Sequence, residues 1–451
     1  MSPASIVWFR RDFRLDDNPA WAAATRASDE VIPLLVIEPR LLEAAGPYRR
    51  QAFLTAAQQL DQQLTELGGR LHVRVGDPAR IVPALAAETD AAMIHANADV
   101  SRWAQRRDAA VEAALDVPFD WHWGTLAHAP GTVLTKAGTV SKVFTPFAKQ
   151  WFVVPLRPEA VPADVGITND PGDGVPSSDG QSAAVLGEAR ADAWQADIDG
   201  YEDTRDLPAV DGTSRLSTAL RFGTVSPRSL AEAYGTHTSG RHGFVRQLAW
   251  RDWYAHITNQ FPDIDRRAIR SEYDGIAWQT GADADRDFAA WASGHTGYPI
   301  VDAGMRQLAE TGWMHNRVRM ITASFLVKDL LIDWRRGERH FRHLLSDAEP
   351  SQNAGNWQWV AGTGPDAAPY FRIFNPTSQS KKFDPTGDYI RRWVPELAAL
   401  DAKTIHEPAA APPLDLATAG VVLDDTYPAP IVDHGFARDR TLAAYKTALG
   451  R

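Results

Sequence analysis

The chain has no cysteine in 451 residues, which excludes disulfides, thiolate metal ligands and cysteine nucleophiles. It has no apolar run near the ~20 residues that span a bilayer. The best stretch, Val31–Ile37, has a strand's length, so no membrane association is expected. The start, Met-Ser-Pro-Ala-Ser-Ile-Val-Trp, lacks a basic segment followed by an apolar core. No secretory signal is read there, and the cytoplasm is the expected compartment. No GxGxxG follows the first apolar run, so the common dinucleotide fingerprint is missing.

Positive charge is also in short supply, with a net charge of −10, but the deficit is local. Residues 155–212 hold three Arg, no Lys and thirteen Asp or Glu, which accounts for the whole imbalance. Elsewhere, residues 313–345 carry seven Arg or Lys against three acids, and 371–392 carry five against two. A phosphate backbone responds to such local patches, so overall acidity does not exclude a nucleic-acid partner.

What is present divides the chain. In the first ~125 residues, short apolar runs at Ser5–Phe9, Val31–Ile37, Arg70–Val75, Ala91–His95 and Phe119–Trp123 read as strands. Helical patterns lie between them, most clearly Arg49–Leu67 and Ser101–Leu115. Alternation of this kind predicts a doubly wound parallel sheet wrapped by helices. We assign it residues 1–130 and treat 131–200 as a long linker, since 155–200 is rich in Pro, Gly, Ser, Asp and Ala. From Tyr201 to residue 451 helical periodicity replaces strands, which predicts an all-α domain. A last short helix is expected near Phe436–Leu449.

Two patterns in the helical part carry chemistry. Gln247, Trp250, Arg251 and Tyr254 fall at i, i+3, i+4 and i+7, on one helical face. An amide, an indole, a guanidinium and a phenol make poor material for a dry core, because each brings a polar group that needs a partner. Trp313, Asn316 and Met320, at i, i+3 and i+7, repeat the oddity with Arg319 alongside. Two such stripes predict a polar cavity with aromatic walls; two buried helices with incidental polar neighbours is the plainer alternative. Thr213-Ser214-Arg215-Leu216-Ser217 precedes a helical pattern at Thr218–Phe222 and offers hydroxyls and backbone N–H groups of the kind that hold phosphate. Asn353–Trp359, after Asp347 and Glu349, reads as an irregular loop entering an aromatic segment.

Longer stretches bring a resemblance into view. TSRLSTALRFGTVSPRSL (213–230), WRDWYAH (250–256), GYPIVDAGMRQLAETGWMHNRVRMITASFLVKDLLIDWRRGER (297–339) and NWQWVAGTGPDAAPYFRIFNP (356–376) closely resemble the class I photolyases of the photolyase/cryptochrome family. WFRRDFRLDDNPA (8–20) is similar to that family's N-terminal signature.

The resemblance implies that the all-α domain binds FAD, active as FADH⁻, folded into a U. It places Tyr201, Thr213, Ser214, Arg215, Leu216 and Ser217 around the pyrophosphate and neighbouring groups, with Arg251 near the diphosphate. Phe244, Gln247, Tyr254, Trp313, Asn316, Arg319, Asp347, Ala348, Glu349 and Asn353 complete the implied cofactor site. Within it Asp347 would pair with Arg319, Glu349 would contact the flavin side chain, and Asn353 would face flavin N5. Trp250 and Trp359 would flank a flipped-out pyrimidine dimer, with Met320 beneath it and Asn316 and Gln247 at its edge. Arg205 and Arg317 would take DNA phosphates, and Trp278, Trp334 and Trp357 match the tryptophan chain that photoreduces oxidised flavin.

The implied activity is light-driven splitting of cyclobutane pyrimidine dimers in DNA, in which FADH⁻ lends an electron and recovers it. A monomer is expected. Gln247 departs from the Glu usual in class I and is reminiscent of (6-4) photolyases, but Asn316 follows His315 where those enzymes carry a second His. A signalling cryptochrome is the other alternative; Asn353, Trp250, Trp359 and Met320 weigh against it, as does the absence of a long tail after residue 451. A DNA-binding module without chemistry would not need the flavin residues. Arg102 stands where a folate-type antenna's Glu would sit, so 8-hydroxy-deazaflavin, or no antenna, is expected ahead of methenyltetrahydrofolate.

Overall fold

The computed structural model describes residues 4–178, 187–366 and 369–450, so part of the expected linker lies outside the described residues. The described chain divides into two compact units. The first comprises Met1–Glu202, Ser214–Asp263 and Ser346–Ser351; the second comprises Asp203–Thr213, Ile264–Leu345 and Gln352–Arg451.

The first unit is built on a parallel sheet of β1 (Ser5–Phe9), β2 (Glu30–Ile37), β3 (His72–Val75), β4 (Met93–Asn97) and β5 (Phe119–His122), in the order β3-β2-β1-β4-β5. A short β6 (Gly166–Ile167) pairs with the start of β2. The register runs Ile6↔Ile32, Ile6↔Ile94 and His95↔Asp120. Every residue of β1 is buried, as a central strand covered on both faces requires. Val7, Phe9 and Leu35 meet Ala20, Trp21 and Leu60 on one face, while Ile6, Trp8 and Ile94 meet Val82, Leu85 and Val111 on the other. This is the predicted doubly wound arrangement, with strand limits within two residues of those read from the sequence at most ends.

Helix starts follow their local chemistry. Pro19, Pro78 and Pro227 occupy first-turn positions behind the capping side chains of Asn18, Asp77 and Ser226. Gly223 ends the helix Ser217–Phe222 at φ +65°, and a Cβ there would come within 2.6 Å of Asp12 Cα and Arg11 O. The position demands glycine. The 131–200 stretch is less bare than its composition suggests: helices Phe144–Trp151 and Gly187–Asp197 and strand β6 lie within it, all in the first unit.

The second unit is helical, with no named strand among its described residues. Its helices include Ala282–Ser293, Pro299–Thr311, Asn316–Ser324, Trp334–Leu344 and His434–Ala448. A π-type turn, Phe325–Asp329, follows Ser324 and brings Lys328 to full burial. Its Nζ donates to the carbonyl oxygens of Ala361 (3.2 Å) and Tyr370 (3.4 Å) and lies 3.8 Å from the Tyr445 ring centroid. Burial pushes this amine down to about 7. A folded-state value below the unfolded one means that stability is complete only above the unfolded value and declines as pH falls toward 7. Lys328→Met should therefore remove part of the pH dependence. Between pH 7 and 10, wild type should gain on the variant by at most about 1.4 kcal/mol per pH unit in chemical denaturation. A pH-independent gap would show that Lys328 titrates as an ordinary lysine.

Candidate active site

In the first unit the helix Ser239–Gln260 carries the Gln247 stripe. Trp250 is half-buried and stacks on Phe144, with ring centroids 3.5 Å apart and planes 12° apart. It also meets Trp253 at 5.3 Å and Tyr254 at 5.8 Å. Gln247 is half-buried and its Nε2 donates to Gly243 O at 3.1 Å. Phe244 packs edge-on to Tyr201 (5.9 Å) and Tyr234 (5.3 Å). The stripe is thus aromatic, polar and incompletely covered within its own unit.

The buried members are Arg251 and Tyr254, and Arg251 donates to the carbonyl oxygens of Thr125 and Leu220. It belongs to a cluster that the sequence reading largely missed. Arg11 pairs with Glu349 at 2.5 Å and Asp99 at 2.9 Å. Arg221 stands 3.8 Å from Glu349 and donates through Nε to Ala348 O at 3.1 Å. Burial pushes both carboxyls up, but Arg11 overrides it, leaving Asp99 at about 2 and Glu349 below its ordinary range. Arg11, Arg221 and Arg251 thus gather around Glu349, with Asp99, Asp12 and Asp252 also within electrostatic reach of them. Nη1 of Arg221 is buried with no hydrogen-bond partner among the described residues. Guanidinium groups with N–H donors to spare suit an anion such as a diphosphate. Arg11 lies in the 8–20 motif and Arg221 in the 213–230 motif, each among other charged or polar residues, and no local pattern set them apart.

Beside this cluster, Ser214 and Leu216 are buried and Ser214 Oγ accepts from Leu216 N at 3.3 Å. Arg215 is exposed and left-handed at φ +54°, and Ser217 opens its helix without a side-chain cap at Leu216. Asp347, Ala348 and Glu349 are all buried in this unit, while half-buried Thr213 falls in the second.

In the second unit the helix Asn316–Ser324 starts later than the stripe implied. His315 is its cap and accepts from Arg317 N at 3.2 Å, which leaves Trp313 before the helix. Only Asn316 and Met320 of that trio share a helix, with Asn316 Nδ2 4.0 Å from Met320 Sδ. The same helix carries Arg319, whose Nε donates to Met314 O at 2.8 Å. Arg317 is bound to Asp206 at 2.8 Å and covers the Phe383 ring at 4.3 Å, so a DNA phosphate would compete with a carboxylate already in place. Arg205 is half-buried in the same unit.

Asn353–Trp359 is not the loop expected. It lies inside the helix Pro350–Ala361, which a first-position proline starts; the Asn and Gly residues that suggested a loop are carried by tertiary packing instead. Asn353 is held firmly: its NH2 donates to Glu338 O at 3.0 Å and Glu338 Oε1 at 2.9 Å. The carbonyl oxygen is the end left to offer, an acceptor for an N–H. Trp357 is buried against Phe341 (5.0 Å) and Trp291 (6.2 Å), and Trp359 is half-buried two residues on. Trp334 is buried, with the Arg335 guanidinium 4.8 Å from its centroid, and Trp278 is half-buried against Tyr445.

The doubly wound sheet unit carries a guanidinium–carboxylate cluster and the helical unit a fixed amide acceptor and indoles, features that suit a protein binding a nucleotide-type cofactor. Residues 5–163 match the DNA photolyase family model, and 244–447 match the FAD binding domain of DNA photolyase. The chain is 41% identical to the deoxyribodipyrimidine photo-lyase of Agrobacterium fabrum over 98% of its own length and 97% of that protein. Among solved structures it is similar to a bacterial class III photolyase from Agrobacterium tumefaciens (39% identity, TM-score 0.90, 100% of this chain and 98% of that one). It is also similar to an archaeal photolyase from Sulfolobus tokodaii described with two FAD molecules (31% identity, TM-score 0.84, 98% and 100% covered). The chain belongs to the photolyase/cryptochrome family.

Proposed function

We propose that this chain is a class I deoxyribodipyrimidine photo-lyase, which splits cyclobutane pyrimidine dimers in DNA under light. The observation that carries the reading is the 41% identity to a deoxyribodipyrimidine photo-lyase across 98% of this chain. Bound FAD, in its reduced form, would supply the electron chemistry. The chain's own residues bind and orient. Arg221, with Arg251 and Arg11 near it, would suit the diphosphate, and Ser214 and Ser217 add hydroxyls. Glu338 holds the Asn353 amide, whose carbonyl oxygen would be the end left to accept from an N–H of the reduced flavin. Trp359 and Met320 would give a flipped-out dimer apolar contact that offsets the few kcal/mol of extrusion.

For the antenna we propose 8-hydroxy-deazaflavin, or none, ahead of methenyltetrahydrofolate. Arg102, the residue in the folate Glu position, pairs with Asp263 and offers no carboxylate. The second FAD of the archaeal relative adds a flavin as an outcome to look for. No helix among the described residues is long and apolar enough to cross a membrane, and we propose a monomer that works in the cytoplasm. The test is an absorption spectrum of the purified protein and light-dependent repair assays on cyclobutane and (6-4) lesions. A colourless protein, or flavin-loaded protein that repairs neither lesion, would overturn the proposal.

A further inference from the structure

The sheet carries a cluster that the flavin and DNA chemistry does not use. His95 lies on β4, while Asp120 and His122 lie on β5, the sheet's edge strand. Parallel register sets His95 beside Asp120, and the two-residue strand period puts His122 on the same face. Their polar ends converge. His95 Nδ1 lies 3.3 Å from His122 Nε2 and 3.6 Å from an Asp120 carboxylate oxygen, which is 3.2 Å from His122 Nε2.

We propose that His95, His122 and Asp120 bind one late first-row divalent cation, with zinc as the reference ion. Tetrahedral zinc with bonds of about 2.0–2.2 Å sets its ligand atoms roughly 3.4 Å apart, and these three atoms form one such triangular face. The donors are two imidazole nitrogens and one carboxylate, which suits zinc, nickel or copper and not the all-oxygen preference of magnesium or calcium. Hydrogen bonding explains the triangle less well. The 3.6 Å contact is beyond hydrogen-bond reach, and the other two share His122 Nε2, which in a neutral ring either donates or accepts and so serves only one of them well. His95 is 98% buried and its Nε2 has no partner among the described residues, so Nδ1 is the atom of that ring that faces polar company. The Asp120 side chain is half exposed, which gives an ion a way in and leaves a fourth position to water. Bound there, the cation would tie the edge strand to its neighbour in a chain that has no cysteine for a staple.

The test uses untagged, flavin-loaded protein freed of metal with a chelator. Zinc titration by calorimetry and metal content after dialysis should both show one equivalent at this site. His122→Ala and Asp120→Asn should each weaken that binding by at least about tenfold, the scale on which even outer-shell changes act. Asp120 is exposed enough that its Asn variant keeps the test intact if the His122 variant misfolds. Cobalt substitution should add a visible band characteristic of tetrahedral coordination, lost in both variants. No zinc uptake by wild type below millimolar concentration, or uptake with the same affinity in both variants, would overturn the site.

Discussion

Trp357→Phe protein should repair DNA when its flavin is supplied already reduced, and should fail when the flavin must first be reduced by light. The substitution keeps a ring at a buried position. Trp357 sits edge-on to Phe341 and Trp291, and a Cβ on Gly337 would approach its six-membered ring to 2.2 Å. The neighbours were cut to fit that ring, so a phenyl leaves a small void at a cost of about 1–2 kcal/mol, which a folded protein tolerates. What phenyl cannot do is replace the indole as an electron donor. Photoreduction of oxidised flavin, followed by absorbance under blue light, should fall at least about tenfold, while repair by dithionite-reduced protein stays within about twofold of wild type. Equal loss of both activities would place Trp357 in the repair step and dissolve the proposed separation. Trp334→Phe should behave the same way, since Trp334 is equally buried. Trp278→Phe should show the weaker effect of a half-exposed end member.

The sheet was legible because period and length suffice for buried parallel strands: Ser5–Phe9 appears with the limits read from its apolar run. The helical unit was legible as a class for the same reason. Two readings erred, one where tertiary packing and one where a helix cap outweighed the local pattern. Asn353–Trp359 resembles a loop by composition yet forms helix, since Glu338 satisfies the Asn353 amide and Trp357 has a buried seat. Trp313 has the spacing of the Asn316 helix, but His315 caps the backbone two residues later, and a cap outranks periodicity at a helix start. The Arg11–Glu349 pair joins residues 338 positions apart, and no local spacing could have announced it. The same holds for His95 and His122, which parallel strand pairing brings together.

Gln247 is where lesion specificity can be tested most sharply. Its amide uses one N–H within the helix, on Gly243 O, which leaves the other N–H and the carbonyl oxygen to meet a base edge. Gln247→Glu, the residue usual in class I relatives, should keep cyclobutane repair within about tenfold, or ~1.4 kcal/mol of the barrier. Gln247→Ala should do worse, because the base-edge groups it abandons would be left unpaired at ~1–3 kcal/mol each. Neither variant should gain (6-4) repair, a reaction that calls for an imidazole to transfer a proton. Asn316 supplies none, and His315 cannot stand in: it is buried, and its Nδ1 is spent accepting the Arg317 N–H that starts the helix. Asn316→His should therefore be the one substitution of this set that moves activity toward the (6-4) lesion. Light-driven repair of both lesions by wild type and the three variants decides the matter. Strong (6-4) repair by wild type with little on cyclobutane dimers would reverse the substrate assignment and show that Gln247, rather than Asn316, sets the preference.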